Sequence, residues 1–259
     1  MSLISPLAKI GYNVNFGTNV VVGDHVEIGD NSTIGNNTII QQTIIGPNAQ
    51  IESNCHIGYG RVTGFIGRDN IGLPDKYDML ELGGNILVRE GATLYVGSKI
   101  AANVKIHHKT LIRENSIIGE YSSIGSMTEL EGKLTIGRYS SVHSRCIICM
   151  GTVIEDYVFM APMSITTNSN PIGYKRPQVT EKFGAERGPT IGSGCQIAVQ
   201  CIISPGVKIG HECLVVANTV VTKDFEPLSI IMGTPAVRKG TIEEIHRLPL
   251  SIREELGLK

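Results

Sequence analysis

The sequence repeats an aliphatic residue at every sixth position over its central part. The residue four places after each aliphatic position is small or β-branched in nearly every hexad. A period of six fits neither a helix of 3.6 residues per turn nor a two-residue strand alternation, so each hexad must be one short strand and one corner. This pattern is typical of a β-helix, in which each coil completes the core of the next. The repeated positions are Val88, Leu94, Ile100, Ile106, Ile112, Ile118, Ile124, Leu130, Ile136, Val142, Ile148, Ile154 and Met160.

The same period continues on both sides of this run. An N-terminal block extends from Ile10 to Ile40, shifts frame by one residue and continues to Ile57, and a C-terminal block extends from Ile191 to Val221. Gly, Asn and Asp fill the corners, because tight corners need residues that tolerate left-handed dihedrals. With three hexads to a triangular coil, the sequence predicts eighteen residues per turn and roughly nine coils about 4.8 Å apart.

The composition suits a narrow aliphatic core. The 259 residues include 30 glycines and no tryptophan, and the formal net charge is -1. Such a balance gives no electrostatic reason to expect nucleic acid or an anionic membrane as a partner. The chain shows neither a signal-like start nor an apolar run of bilayer length, so we expect a soluble cytoplasmic protein.

Five of the six cysteines are predicted to fill the core. They stand four residues after an aliphatic position, where Ser, Thr and Val are otherwise found, and free Cys packs as a small hydrophobe. Cys149 instead stands at a corner. Because no paired CxxC spacing occurs, a disulfide framework or a zinc site is disfavoured. The five are Cys55, Cys146, Cys195, Cys201 and Cys213.

Two stretches interrupt the hexads, and a different pattern follows the last of them. The stretches lose the period and are rich in charged residues or proline, which is typical of long loops. In the tail, Thr241 and Glu244 have capping-box spacing, which predicts a helix that begins there. A second helix is predicted over Ser251 to Leu256. The tail is expected to cap the open end of the β-helix. The predicted divisions are N-terminal coils 1–58, an inserted loop 59–84, central coils 85–165, a second loop 166–190, C-terminal coils 191–240 and a helical cap 241–259.

Beyond the hexads, three motifs resemble the left-handed β-helix hexapeptide-repeat acyltransferases. They are VFMAPMSITTN (Val158 to Asn168), VVTKD (Val220 to Asp224) and GTPAVRKG (Gly233 to Gly240). Within that family the chain is most similar to the branch that acylates nucleotide-linked amino sugars. The resemblance is strong over Val88 to Gly240 and weaker before it.

The resemblance implies an all-β fold, a left-handed parallel β-helix of hexapeptide repeats with protruding loops and a short C-terminal helical tail. Only the resemblance implies the handedness, since general crossover rules favour the opposite hand. It also implies a homotrimer with active sites between neighbouring subunits, the loop 166–190 as an active-site loop, and an acyl-CoA thioester, expected to be acetyl-CoA, as the donor.

The same resemblance places the pantetheine arm of coenzyme A along the C-terminal coils. Cations near the nucleotide end would balance the several phosphate charges of the coenzyme. The predicted coenzyme-binding residues are Ala198, Ala217, Thr222, Lys223, Arg238 and Lys239.

One departure from the family concerns the acceptor chemistry. Many members that acetylate hydroxyls have a histidine in the segment that here spans Thr166 to Asn170, and this chain has none there. Amino-sugar members often read Thr-Asn-Asp in this segment with Glu one coil below, whereas here Ser169 follows Asn168 and Met150 stands one coil below. A sugar hydroxyl needs a base before it can attack, but a neutral amine does not. The missing histidine therefore favours N-acylation.

The histidines that remain can be ranked by their spacing. His107 and His143 are thirty-six residues apart, so they should share one corner column, two coils from each other. Two stacked histidines about 10 Å apart cannot share a metal directly, so no metal site is predicted, although γ-class carbonic anhydrases use such scaffolds. The predicted catalytic residues are His143 and Asn168, and the predicted substrate-binding residues are His107, His108, Lys175 and Arg176.

These observations predict an acyl-CoA-dependent N-acyltransferase. Its expected acceptor is the amino group of a nucleotide-linked amino sugar in cell-surface polysaccharide biosynthesis, with the nucleotide near the N-terminal coils and the 59–84 loop. The enzyme alternative is an O-acetyltransferase of a sugar or glycan. The alternative of another class is a non-catalytic structural or binding β-helix.

Overall fold

The chain winds through three parallel sheets that form the faces of a triangular prism. The computed structural model describes residues 2–60, 79–169, 175–176, 178–179 and 187–258. In these residues the sheets, named face 1, face 2 and face 3 in chain order, contain 11, 10 and 12 strands. The architecture is that of a left-handed parallel β-helix, as the family resemblance predicts.

Almost all strands are two to four residues long, because each hexad contains a corner as well as a strand. Face 1 consists of Leu3–Ile4, Val21–Val22, Ile39–Ile40, His56–Tyr59, Thr93–Tyr95, Leu111–Ile112, Glu129–Leu130, Ile147–Ile148, Ile165–Thr166, Ile202–Ile203 and Val220–Val221. Face 2 consists of Lys9–Ile10, Glu27–Ile28, Thr43–Ile45, Leu80–Leu82, Lys99–Ile100, Ile117–Ile118, Thr135–Ile136, Val153–Ile154, Thr190–Ile191 and Lys208–Ile209. Face 3 consists of Asn15–Phe16, Thr33–Ile34, Gln50–Ile51, Leu87–Val88, Lys105–Ile106, Ser123–Ile124, Ser141–Val142, Phe159–Met160, Gln196–Ile197, Leu214–Val215, Ser229–Met232 and Val237–Thr241.

Successive coils are held in register by backbone hydrogen bonds between parallel strands. Lys105 pairs with Ser123, and Ser123 pairs with Ser141, so one coil takes eighteen residues, as predicted. The predicted total of nine coils is too low, because each face has ten strands or more. The prediction missed coils whose strands lack the aliphatic hexad pattern, such as Ile165–Thr166, and strands such as Leu80–Leu82 that were assigned to a loop.

The inward side of the prism is a continuous column of aliphatic side chains joined by small polar ones. All thirteen repeated positions of the central run are at most 2% exposed. Buried hydroxyls link neighbouring coils: Ser122 Oγ donates to the Gly137 carbonyl at 2.7 Å, and Ser140 Oγ donates to the Glu155 carbonyl at 2.7 Å. The five cysteines predicted to fill the core are buried free thiols, whereas Cys149 is only half-buried.

The two interruptions are shorter than predicted. Residues 61–78 and most of 170–186 lie outside the described residues. The predicted loop 59–84 nevertheless contains strand residues at both ends, since Tyr59 ends one strand and Leu80–Leu82 forms another. In the second stretch, Thr166 and Thr190 are strand residues as well.

The C-terminal tail lies along the corner between faces 2 and 3 instead of covering the end of the prism. The first predicted helix is wrong: Thr241 ends a strand that pairs antiparallel at the edge of face 3, and only a 3-10 turn, Glu244–His246, follows. The second helix, α1, spans Leu250–Leu256, one residue more than predicted. No helix among the described residues is both long and apolar enough to cross a membrane.

A buried carboxylate anchors this tail. Glu212 is 3% exposed and accepts hydrogen bonds from Arg247 Nη2 at 2.7 Å and from the Leu248 N–H at 2.8 Å. Burial opposes its ionisation, but these hydrogen bonds outweigh burial and hold the pKa of Glu212 below its ordinary value. Gly194 has φ +72°, and a Cβ there would lie 2.7 Å from Leu248 Cδ1, so glycine lets the tail approach.

Removing one buried hydroxyl should cost more than removing an equivalent exposed one. Ser140 Oγ donates to the Glu155 carbonyl and accepts from the Val158 N–H at 3.1 Å. Alanine fits at this position of the hexad, because Ala92 occupies the equivalent position in another coil and is buried. We expect Ser140→Ala to lower the free energy of unfolding by about 1–3 kcal/mol, because two buried polar groups lose their partner. Denaturant titration measures this. The control Ser141→Ala, on the outward side, should change it by less than about 0.5 kcal/mol.

Candidate functional site

The corner between face 3 and face 1, the 3–1 corner, brings the predicted histidines into one column. Arg89, His107, Gly125 and His143 follow face-3 strands that pair in successive coils, so they stand one above another at eighteen-residue steps. The prediction that His107 and His143 share a corner column, two coils apart, is therefore confirmed. Parallel strand spacing puts about 10 Å between them along the prism axis.

A small cavity of about 140 Å³ on this corner is lined by both histidines. His107 Nε2 and Ser123 Oγ are 3.1 Å apart, within hydrogen-bonding distance, and the His143 ring packs edge-on against Phe159 at 5.2 Å between centroids. Gly125 is required between them, because a Cβ there would lie 2.4 Å from the backbone of His143. The cavity is lined by His107, Ser123, Gly125, Ser126, Ser141, Val142, His143 and Ser144.

The environment of His107 favours the neutral imidazole. Partial burial is the largest cause that lowers its pKa below 6.5, and the positive charges of Arg89 and Lys105, together with His108 and His143, add to it. A neutral imidazole has one nitrogen that can accept a proton or a hydrogen bond. His107 therefore provides a polar, uncharged wall to the cavity.

A larger cavity of about 420 Å³ lies on the same corner, toward the N terminus. At its edge, Glu52 Oε1 forms an ion pair with Arg89 Nη1 at 2.5 Å, and Glu52 Oε2 accepts from the Glu90 N–H at 3.0 Å. Burial opposes the ionisation of Glu52, but these two hydrogen bonds more than offset it and lower its pKa. The cavity is lined by Thr33, Gly35, Gln50, Ile51, Glu52, Ser53, Leu87 and Glu90.

The residues predicted to bind coenzyme A lie on two corners at the C-terminal end. Ala198 and Ala217 follow face-3 strands, so they continue the 3–1 corner beyond His143. Thr222 and Lys223 follow the face-1 strand Val220–Val221, which places them on the corner between faces 1 and 2, the 1–2 corner. The two remaining cations, Arg238 and Lys239, are exposed on the last strand of face 3.

The two predicted catalytic residues are not brought together within one chain. Asn168 follows the face-1 strand Ile165–Thr166 on the 1–2 corner, and its carbonyl accepts from the Arg187 N–H at 2.9 Å. His143 is on the 3–1 corner. The two corners border face 1 on opposite sides, so one face of the prism separates Asn168 from His143.

The other predicted substrate-binding residues have different surroundings. His108 is exposed on the 3–1 corner next to His107. Lys175 and Arg176 are exposed in the loop between faces 1 and 2, most of which lies outside the described residues, so their role stays a prediction. In the described part of the chain, no group of three or more His, Cys, Asp or Glu side chains is arranged to hold a metal ion.

Three polar residues of the corner were missed by the sequence analysis. Ser123 and Arg89 could have been found from the eighteen-residue period. Arg89 is one period before His107, and Ser123 is one period before Ser141. Glu52 could not be found in this way. It is 37 residues before Arg89, since the 61–78 stretch lies between their coils.

Comparison with known proteins agrees with this geometry. A family profile described as the hexapeptide repeat of succinyl-transferase matches residues 8–42 and 190–223. The crystal structure of a UDP-N-acetylglucosamine acyltransferase from Campylobacter jejuni shares the fold, with a TM-score of 0.54 over 98% of this chain and 79% of that chain, at 16% identity. The chain carries the repeat of this profile on a left-handed β-helix, as its resemblance to the hexapeptide-repeat acyltransferases predicts.

Two proteins to which the chain is similar bear acetyltransferase names. A putative colanic acid biosynthesis acetyltransferase, WcaF, from Escherichia coli K12 is 28% identical over 145 residues, which cover 54% of this chain and 68% of the relative. A chloramphenicol acetyltransferase from Escherichia coli is 43% identical over 116 residues, covering 43% of this chain and 54% of the relative. The names support an acyltransferase, and they differ in the acceptor.

The protonation of His107 can be tested directly. Because its folded pKa is lowered, His107 should be less protonated at pH 6.5 than a free imidazole, which is half protonated there. Lys105→Gln should raise this pKa toward the ordinary value by removing one positive charge, whereas Lys208→Gln, on face 2, should not. NMR titration of the imidazole protons measures both, and a wild-type midpoint at or above 6.5 would contradict the analysis.

Proposed function

We propose that the protein transfers an acyl group from acetyl-CoA to a sugar hydroxyl, with His143 as the general base. The observation that carries this proposal is the 140 Å³ cavity on the 3–1 corner, which is lined by both His107 and His143. His107, hydrogen-bonded to Ser123, would orient the acceptor. His143, which is more exposed, would take the proton.

The need for a base decides between the two acceptor chemistries. A sugar hydroxyl is a weak nucleophile until a positioned group removes its proton. In the proposed step, His143 accepts the hydroxyl proton as the sugar oxygen attacks the thioester carbonyl. The carbon–sulfur bond then breaks, and the sulfur leaves as the coenzyme A thiol with the proton that His143 returns. The corner imidazoles thus take the place of the histidine missing from the 166–170 segment.

The C-terminal half of the corner suits the coenzyme. Ala161 and Ala198 continue the column beyond His143, Ala217 follows Val216 of that column on the same corner, and the small alanine side chains leave room for a narrow pantetheine arm. The exposed cations Lys223, Arg238 and Lys239 lie at the C-terminal coils, where the phosphate groups would need them. The donor would therefore approach His143 from the C-terminal side.

The second candidate is N-acylation of a nucleotide-linked amino sugar. It is favoured by the lack of histidine among residues 166–170 and by the retained Asn168. A neutral amine attacks a thioester without a side-chain base, so this reaction would not need His143. A non-catalytic binding β-helix is the third candidate, and it would not release thiol from acetyl-CoA.

An apolar face supports the proposed homotrimer. The outward positions of face 1 include Ile147 and Ile202, which are 37% and 39% exposed, and Met127 and Met163 on the 3–1 corner beside it are 49% and 42% exposed. Contiguous exposed apolar residues of this kind mark a surface that binds another protein. Face 1, which separates the two corners of the candidate site, is therefore the proposed subunit interface.

Such a trimer would complete the site. If three prisms turn face 1 toward a common axis, the 3–1 corner of each subunit lies beside the 1–2 corner of the next, as in any closed head-to-tail ring. His143 would then meet Asn168 from the neighbour. The two residues are 25 positions apart in sequence, which is about 1.4 coils or about 7 Å along the axis, a difference that a shared site accommodates.

Removal of His143 distinguishes the candidates. With acetyl-CoA and matched panels of hydroxy and amino sugars, we expect thiol release with the hydroxy sugars. His143→Ala should lower its rate by about 10²–10⁴-fold, since proton transfer from the hydroxyl is lost. The control His246→Ala, in the exposed tail, should leave the rate unchanged.

Three outcomes would count against the proposal. Turnover of amino sugars alone, unaffected by His143→Ala, would support N-acylation. Coenzyme A binding without turnover on any acceptor would support a binding protein. Full activity of His143→Ala on hydroxy sugars would exclude this residue as the base.

A mixing experiment tests the shared site. His143→Ala and Asn168→Ala should each be inactive alone, but subunits exchanged in a one-to-one mixture should regain activity in about a quarter of the sites, where an intact His143 meets an intact Asn168 of the neighbour. Thiol release before and after exchange measures this. No recovery in a mixture that forms mixed trimers would place the site within one subunit.

A further inference from the structure

We propose that the acceptor is an uncharged oligosaccharide, and that the units beyond the acylated sugar bind in the 420 Å³ cavity toward the N terminus. This inference rests on the proposed function, because it takes the site of acyl transfer to be the cavity at His143. It changes the expected substrate class, since the sequence analysis assigned these coils to the nucleotide of a nucleotide-linked sugar.

The two cavities lie on one continuous strip of the prism. Their lining residues come from face-3 strands in successive coils and from the 3–1 corner that follows these strands. Gly35, at the far end of the larger cavity, is five coils from His143, which is roughly 24 Å at the parallel strand spacing. One sugar ring cannot span this length, so a ligand that reaches both cavities has several units.

The larger cavity offers the groups that bind sugar hydroxyls. Gln50 and Glu90 line it with amide and carboxylate oxygens, and Thr33 and Ser53 add hydroxyls that donate or accept. Hydrogen bonds to an ionised carboxylate are stronger than those between neutral groups. The Leu87 side chain gives an apolar surface for the carbon face of a ring. This mixture suits a polyhydroxylated ligand.

The charge of the same cavity disfavours a diphosphate. The lining contains the carboxylates of Glu52 and Glu90, and no cation is among the eight described residues that form it. Arg89, which is adjacent to Glu90 in the sequence, is engaged by Glu52 at 2.5 Å. A nucleotide diphosphate would bring two further negative charges beside Glu90, which like-charge repulsion opposes.

The experiment measures how acetyl transfer depends on acceptor length. Neutral oligosaccharides of increasing length are compared with the same terminal sugar as a monosaccharide and in nucleotide-diphosphate form. For the wild type, kcat/KM should rise with length until both cavities are filled. Glu90→Gln should raise KM for the long acceptors about tenfold, because a charge-assisted hydrogen bond is lost, and leave the monosaccharide unchanged. The matched control Glu120→Gln, an exposed carboxylate on the corner between faces 2 and 3, should change neither.

A binding readout keeps the inference separate from the proposed function. Backbone amide shifts of Gln50, Glu52 and Glu90 should respond to the long oligosaccharides, even in His143→Ala. If acyl transfer occurs but kcat/KM does not depend on length, or the nucleotide-linked sugar is preferred, the inference fails while the proposed function stands. If none of the oligosaccharides shifts these amides, the inference fails. If the amides shift but no acceptor is acylated, the proposed function fails.

Discussion

Backbone hydrogen bonds between successive coils fix every column of this molecule. Since each strand pairs with the strand eighteen residues later, a residue at a corner lies directly above the residue one coil earlier. The buried hydroxyls of Ser122 and Ser140 make further bonds from one coil to the next. A rigid column of this kind can hold His107 and His143 at a set separation without any loop, so the candidate site is part of the scaffold itself.

The regular part of the fold could be predicted because its signal is repeated many times. One hexad says little, but thirteen in succession exclude a helix, and all of their anchors are buried. The same reasoning failed where the core position is not aliphatic, as at Thr166, or where a strand stands beside an insertion, as at Leu80–Leu82. The tail was mispredicted for another reason. Its position depends on the buried carboxylate of Glu212 and the approach of Leu248 over Gly194, and neither contact leaves a periodic signal.

For the candidate site, the sequence could predict which residues share a corner column. The spacing of His107 and His143 predicted their alignment, but it did not predict which side chains contact them. The contact of His107 with Ser123 depends on side-chain direction, and the Glu52–Arg89 ion pair joins residues that an insertion separates in sequence. The hexad count also separates Asn168 from His143, because Thr166 is four hexads after Val142 and so falls on a different face of the prism. Because of that separation, the proposed shared site takes Asn168 from a neighbouring subunit.

The charged residues at the proposed donor site and at the larger cavity differ in sign, and this asymmetry gives the proposed reaction a direction. The cations Lys223, Arg238 and Lys239 are at the C-terminal coils, and the carboxylates Glu52 and Glu90 are at the N-terminal coils. A donor that carries several phosphate groups is attracted to the first end and repelled by the second. An uncharged acceptor is indifferent to the cations and gains hydrogen bonds at the carboxylates. The two substrates would therefore enter from opposite ends of one groove and meet at His143, where only the thioester and the hydroxyl need to come together.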